Sequence, residues 1–341
     1  MPDDFAAPPS SPPPSPPRVH PPRSVWTRLR RAVSRRLGYL LARMIHAVAS
    51  NLPYRLRHAA AWIGGTFAYV ILRRERSIAL RNLQHAFGTE RSARELRRII
   101  RRMFRHFASV YVDWAILRTW PTPRLEQKFP QIAADLRKLE TEVRAMGTGA
   151  VGLTAHLGNW ELLSVFFSRF TPGLVVAIAN RIYYPKYHAF LHKLRSEVGL
   201  DVIYNDESPR RMIAAIRSGH VIAILPDHEV RTNRSVHVPF FGRPAQTALF
   251  PVQLARKLNV PIGLVYLVRE NDGYTFIYRG TFDVPRTADE ERDLEAATRT
   301  WTEKLEEEIR ARPEQWVWMH NRWRSPPSRP RRHLDRYLKF E

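Results

Sequence analysis

The sequence predicts an α/β protein, a sheet flanked by helices, preceded by amphipathic, membrane-associating helices. Three observations predict it. From about residue 130, short apolar runs alternate with stretches of helical period. The runs end in turn-forming or polar residues, the order expected of a largely parallel sheet. Before residue 125 the period is helical and the charge is almost all arginine.

Taken in order, the chain opens on MPDDFAAPPSSPPPSPP, and residues 1–22 hold ten of the 27 prolines. That composition builds no packed core and reads as an extended tail, residues 1–24. It lacks the basic start and apolar middle of a secretory signal. Residues 25–125 form the basic helical region. Between Arg23 and Arg105 there are 20 arginines, no lysine and three acids (Glu75, Glu90, Glu95), a net +17 out of +23 for the whole chain. Two apolar stretches interrupt it, LGYLLARMIHAVA (37–49) and AAAWIGGTFAYVIL (59–72). Both fall short of the ~20 residues a spanning helix needs. Arginines 28, 30, 31, 35 and 36 precede the first; Arg73, Arg74 and Arg76 follow the second. With Trp26, Tyr39, Trp62 and Tyr69, the pattern fits helices lying in a membrane interface; ordinary core helices are the alternative for the second stretch taken alone. Residues 76–118 read as helical, with Ser92 and Glu95 as a capping box and Pro121 and Pro123 as breakers.

The α/β core spans 126–325, followed by a basic C-terminal tail, 326–341. Strands are predicted over Ala150–Ala155, Leu174–Ala179, Asp201–Tyr204, Val221–Leu225, Ile262–Val268 and Tyr274–Tyr278. Helices are predicted over Gln131–Ala145, Trp160–Arg169, Lys186–Val198, Pro209–Arg217, Thr247–Lys257 and Ala288–Arg312. Thr287 and Glu290 are read as the cap of the last one. Residues 226–247 read as a long loop.

Composition excludes some chemistry. A hydrophobic fraction of 44% supplies a core, and the absence of cysteine removes disulfides, thiolate metal sites and a thiol nucleophile. No phosphate-cradling glycine loop is present. The basic excess seeks an anionic partner: lipid headgroups, nucleic acid or an acidic protein. No recognisable nucleic-acid module accompanies it.

The chemistry concentrates in GAVGLTAHLGNWELL, residues 149–163. A strand ends at His156, and Gly158 and Asn159 make a turn and a helix N-cap. His156 and Glu161 are five apart, about 140° around one continuous helix, so they meet only if His156 stands on the turn. A histidine oriented by a carboxylate is a general base near neutral pH. The alternative is a strand-to-helix corner with a chance polar pair. A second group of polar residues follows the apolar run VIAIL: Asp227, Glu229, Arg231, Arg234 and Arg243. Both groups lie at the carboxyl ends of strands, where α/β sheets gather ligands. His188 and His192 are four apart and read as a polar helix face, not metal ligands. Trp316, Trp318, Trp323 and His320 read as core.

HLGNWE, DHEVRTNRSVHVPFFGRPAQT and PEQWVWMHNRW, in that order, resemble the late acyltransferases of lipid A biosynthesis, the lauroyl and myristoyl transferases of Gram-negative bacteria. The likeness extends to RSIALRNLQHAF (76–87) and NRIYYPKYHAFLHKLRSEVG (180–199), covering roughly 38–325. It implies the glycerolipid-acyltransferase α/β fold, peripheral or monotopic on the cytoplasmic face of the inner membrane. It implies transfer of a fatty acyl group from acyl carrier protein to a hydroxyl of a lipid A precursor. Under it, His156 is the catalytic base and Glu161 its acidic partner, holding the imidazole. Asn159, Arg181, Arg195, Asp227, Arg231 and Arg234 become acceptor or headgroup-binding candidates. Backbone N–H groups at Gly158–Asn159, or an arginine, would meet the oxyanion. No metal, cofactor or acyl-enzyme is required, and no nucleic acid. His228 stands where many members carry Gln, and the run 181–185 is a residue short, departures that bear on the acceptor. Two rivals remain: an acyltransferase for another glycolipid such as phosphatidylinositol mannoside, and a basic non-enzymatic membrane- or nucleic-acid-binding protein.

Overall fold

The computed structural model describes residues 25–182, 184–229 and 235–325; side chains of residues 25–35 are outside that description. The predicted tails, the candidates Arg231 and Arg234, and the side chains of Trp26 and arginines 28–35 therefore lie outside the described residues. Contacts divide the chain into two units, 1–43 and 44–341.

Helix α1 (Val25–Ser50) contributes to both units. Within the second follow α2 (Arg57–Ile71), α3 (Arg73–Phe87), α4 (Ala93–Leu117), α5 (Thr122–Lys128) and α6 (Pro130–Ala145). The alternating core then runs β1 (Ala150–Leu153), α7 (Trp160–Phe170), β2 (Val175–Ala179), α8 (Pro185–Ser196), β3 (Asp201–Tyr204), α9 (Pro209–Arg217) and β4 (Val221–Ile224). A hairpin, β5 (Ser235–Phe240) and β6 (Arg243–Ala248), precedes α10 (Phe250–Leu258), β7 (Ile262–Glu270), β8 (Gly273–Phe282) and α11 (Glu290–Ala311).

The main sheet has the order β3-β2-β4-β1-β7-β8, parallel except for the antiparallel edge β8. Alternate side chains serve two apolar clusters. Ile262, Leu264, Tyr266 and Val268 of β7 join α3, the first half of α4, α9, α10 and α11; Leu267 joins α5, α6, α7 and the last turns of α4. This is the period-two signature of a sheet covered on both faces. Helix α4 serves both clusters because its buried stripe runs from Leu96 to Leu117.

Where sequence and structure part, the causes are local. Residues 235–248 are a hairpin rather than loop. Its two-residue turn, Phe241-Gly242, has φ of 52° and 70°, the sign a type I′ turn requires. Phe-Gly is not a usual signal for that turn, and the paired Pro239 and Pro244 argue against strand. Because β6 uses residues 243–248, α10 begins at Phe250 and not Thr247. Pro123 starts α5 rather than breaking the chain, since proline suits a first turn. Asp289 caps α11, accepting the Arg292 N–H at 3.1 Å, while Thr287 is tied to Asp293. The capping box of α4 forms: Ser92 N–H donates to Glu95 at 2.8 Å and Glu95 N–H to the Ser92 hydroxyl.

Among the described residues no helix is long and apolar enough to cross a membrane. Helix α2 nevertheless leaves Trp62, Ile63, Phe67, Val70 and Ile71 exposed, Phe67 by 67%. Its opposite side meets α4 so closely that a Cβ on Gly65 would sit 2.4 Å from the Arg105 Cα.

Candidate active site

Strand register builds the site. β1 and β4 are adjacent and parallel, with Leu153 opposite Ile224. His156 and Asp227 each lie three residues beyond, so they emerge side by side at the carboxyl edge. The connections leaving these strands run opposite ways along the sheet, β1 to β2 and β4 onward to β7, which opens a crevice there.

Asp227 is buried and receives three donors. The His156 backbone N–H donates to Oδ2 at 3.0 Å, the His156 ring meets Oδ1 through Nδ1 at 2.8 Å, and the Trp316 indole N–H donates to Oδ2 at 3.0 Å. Burial alone would raise its pKa. The neighbouring His156, with its hydrogen bond, outweighs that, and His228 and Trp316 add to it, holding the carboxyl well below the usual range. An ionised carboxylate only accepts, so Nδ1 donates in this bond and Asp227 does not engage Nε2.

The imidazole is packed as well as hydrogen-bonded. His228 stacks on it with centroids 3.9 Å apart and planes 10° apart, and Trp160 packs edge-to-face with centroids 5.0 Å apart. His320 stacks on His228 at 3.7 Å. Burial lowers the His228 pKa to about 3 and lowers that of His320 as well, so both are neutral near pH 7. His156, Asp227 and His228 bring ligand atoms within 4.8 Å of one another. A metal needs lone pairs converging at about 2.0 Å, whereas stacked rings aim theirs along parallel lines. As arranged, the trio suits proton transfer better than metal binding.

The turn between His156 and α7 is heavily constrained. Gly158 has φ of 65°, and a Cβ there would lie 2.1 Å from the Leu267 carbonyl oxygen. Its N–H donates to Gln315 O at 3.0 Å, and the Asn159 N–H to Leu267 O at 2.7 Å. These two amides are thus occupied, and the expectation that they bind an oxyanion is corrected. Buried His106, lowered to about 4 by burial, is neutral and donates Nε2–H to Gly158 O at 3.1 Å.

Several sequence-predicted roles change with these partners. Asp227, expected among the headgroup contacts, lies beneath the imidazole and is what holds it. Glu161 does not hydrogen-bond His156 among the described residues; its carboxylate pairs with Arg195 at 2.9 Å, and that negative charge raises the Arg195 pKa. The offset of five puts Glu161 in the first helical turn, directed toward α8 rather than back at the ring. Asn159 is an N-cap as expected, accepting the Leu162 N–H at 3.0 Å, but is fully buried and its amide also serves Tyr274, so it supports the turn instead of touching a ligand. Arg181 is half exposed and pairs with Asp206 at 2.7 Å. Glu229 accepts from Arg324 N–H and Ser325.

Trp316, His228 and His320 were not singled out as functional in the sequence. Trp316 read as core, which it is, and one indole N–H beside a carboxylate leaves no periodic trace. His228 was findable, standing next to Asp227 beyond a central strand.

With this geometry in hand, comparison with known proteins is informative. The family profile described as bacterial lipid A biosynthesis acyltransferase matches residues 28–325. The lipid A biosynthesis lauroyltransferase of Escherichia coli (strain K12) is 25% identical over 281 residues, 81% of this chain and 88% of the relative. The lipid A biosynthesis palmitoleoyltransferase of the same organism is 24% identical over 280 residues, with the same coverage. A phosphatidylinositol mannoside acyltransferase of Mycobacterium tuberculosis (strain ATCC 25618 / H37Rv) is 22% identical over 213 residues, 61% of this chain and 65% of the relative. A histidine hydrogen-bonded to a buried carboxylate at a sheet's carboxyl edge, inside a match of this extent, leaves one conclusion: the chain belongs to the bacterial lipid A biosynthesis acyltransferase family.

Proposed function

We propose that this protein is a membrane-associated O-acyltransferase with a glycerolipid-acyltransferase fold. It moves a fatty acyl group from acyl carrier protein to a hydroxyl of a lipid A precursor, at the cytoplasmic face of the inner membrane. The observation that carries the chemistry is the Asp227–His156 hydrogen bond, which engages Nδ1 and not Nε2.

A hydroxyl is a weak nucleophile near pH 7. His156 Nε2 removes its proton as the oxygen attacks the thioester carbonyl carbon. The tetrahedral oxyanion collapses, the C–S bond breaks, and the leaving thiolate takes the proton from the imidazolium. Asp227 fixes the tautomer and stabilises the imidazolium while remaining ionised. Because the Gly158 and Asn159 amides are occupied, the oxyanion donors are the Trp160 and Glu161 N–H groups in the first turn of α7. Glu161 acts with Arg195 as an ion pair beside the base, ordering the acceptor; Arg181, Arg231 and Arg234 serve its anionic headgroup. The exposed apolar side of α2 lies in the membrane interface. Arg105 over Trp62 (4.9 Å) and Arg76 over Tyr69 (4.8 Å) stand at its edge, suited to anionic headgroups.

Lipid A from cells with and without the gene, weighed by mass spectrometry, tests the reading. It expects one added acyl mass, abolished by His156→Ala, with the transfer rate down about 10²–10⁴-fold. Unchanged lipid A would overturn the acceptor. The mycobacterial relative gives phosphatidylinositol mannoside as the second reading, with the same base and a different acceptor.

A further inference from the structure

A buried polar chain leads from the start of α2 to the turn bearing His156. Arg57, the first residue of α2, is buried and places Nε 3.7 Å from Asp113 of α4, which is itself only 1% exposed. Arg269 of β7 reaches the same carboxylate at 3.1 Å, and the Tyr274 hydroxyl of β8 donates to it. Burial, reinforced by the Asp113 charge, raises the Tyr274 pKa far above its ordinary value, so the group is a neutral hydroxyl. Its remaining acceptor site takes the Asn159 Nδ2–H at 3.0 Å. Asn159 Oδ1 in turn accepts the Leu162 N–H and fixes the first turn of α7. Four elements thus converge on one inaccessible carboxylate whose outlet is the N-cap between His156 and Glu161.

We propose that Asp113, acting through Tyr274, is a positioning residue of the reaction, and that Arg57 ties the setting of the Asn159 turn to helix α2. The proposal rests on the acyltransferase reading for its kinetic consequence only. A carboxylate buried with two arginines and a tyrosine is costly to desolvate, and hydrophobic residues would serve stability as well. Its directional effect is on Asn159: with Tyr274 oriented by Asp113, the amide cannot flip without losing its bonds to Tyr274, Val110 and Leu162. The turn then holds the Trp160 and Glu161 amides in fixed relation to His156. Helix α2 is bound to the same carboxylate at one end and presents its apolar side along the rest, so seating that side on lipid bears on the turn through Arg57.

Tyr274→Phe removes one hydroxyl and keeps the ring. With lauroyl-loaded acyl carrier protein, a hydroxyacylated glucosamine disaccharide and phosphatidylglycerol vesicles, it lowers kcat about tenfold and leaves KM within about twofold. Amide hydrogen exchange, measured without substrate, speeds about tenfold at Leu162 while Val151 and Leu153 of β1 are unchanged. Arg57→Gln shows the same pattern, and the double variant loses no more than the larger single loss. Unchanged exchange at Leu162, or acceleration spread equally to β1, would overturn the proposal, as would losses that add in the double variant. If the unsubstituted protein transfers no acyl group, the acyltransferase reading fails, and exchange at Leu162 still decides this inference.

Discussion

The turn from His156 to Glu161 and the outer side of α2 are opposites in construction. At the turn, the polar groups of Gly158 and Asn159 are committed: Gly158 N–H to Gln315, Gly158 O to His106, Asn159 N–H to Leu267, the Asn159 amide to Leu162, Tyr274 and Val110. On α2, Trp62, Ile63, Phe67, Val70 and Ile71 each leave more than half of their surface exposed among the described residues. A contiguous apolar face of this kind marks an interaction surface. The difference teaches that the chain completes its own reaction geometry and leaves its docking surface for something outside to complete.

The sharpest way to break the first half of that comparison is Gly158→Ala. The left-handed φ and the Leu267 carbonyl 2.1 Å from a new Cβ leave no room. Strain and lost backbone bonds together should cost at least about 3 kcal/mol, read as a fall in the urea midpoint. A variant as stable as the parent would show that the turn is less constrained than its hydrogen bonds indicate.

For the second half, Trp62→Ser with Phe67→Ser removes apolar area from a surface that is more than half exposed among the described residues. Binding to phosphatidylglycerol vesicles, followed by sedimentation, should weaken about a hundredfold, with the urea midpoint unchanged. A lowered midpoint with unchanged sedimentation would mean that α2 is a core helix after all.

The smallest effect sharpens the contrast by pH. Burial lowers His106 and His46 to about 4 and His228 to about 3, from an ordinary 6.5. These rings are neutral when folded and take up protons on unfolding below pH 6.5. The unfolded state then binds more protons, so stability falls as pH drops from about 6.5 toward 4. Fully buried His106 alone accounts for roughly 2 kcal/mol between pH 6.5 and 5. Urea titrations at pH 7 and pH 5 check it; equal stabilities would contradict the neutral, buried assignment.

Much of this was legible in the sequence, for physical reasons that can be named. The five parallel strands are largely continuous apolar runs because both faces are covered, and they, with the antiparallel β8, are legible to within a few residues at each end. His156 stands out in the sequence because it ends such a run ahead of a glycine and an N-cap. Sequence proximity pairs it with Glu161, whereas its hydrogen bond in the structure goes to Asp227. Asp227 lies 71 residues on and is brought beside it only by the β1–β4 register. Two strands pairing in parallel with their ends level is a tertiary fact; the alternation of apolar runs gives the strands but not their order. The Asp113–Tyr274–Asn159 chain was illegible for the same reason, since its members come from α4, β8 and the turn and share no spacing.

The central claim is that Asp227 holds and polarises the base, whereas Glu161 acts through Arg195. Transfer from lauroyl-loaded acyl carrier protein by Asp227→Asn, set beside Glu161→Gln over a range of pH, tests it directly. The account predicts a loss of about 10³-fold or more in kcat for Asp227→Asn, which leaves the imidazole without its anion and in the wrong tautomer. For Glu161→Gln it predicts a loss of about tenfold, with the acid limb of the pH profile in place. Near-normal transfer by Asp227→Asn, with the pH dependence moved by Glu161→Gln instead, would contradict it.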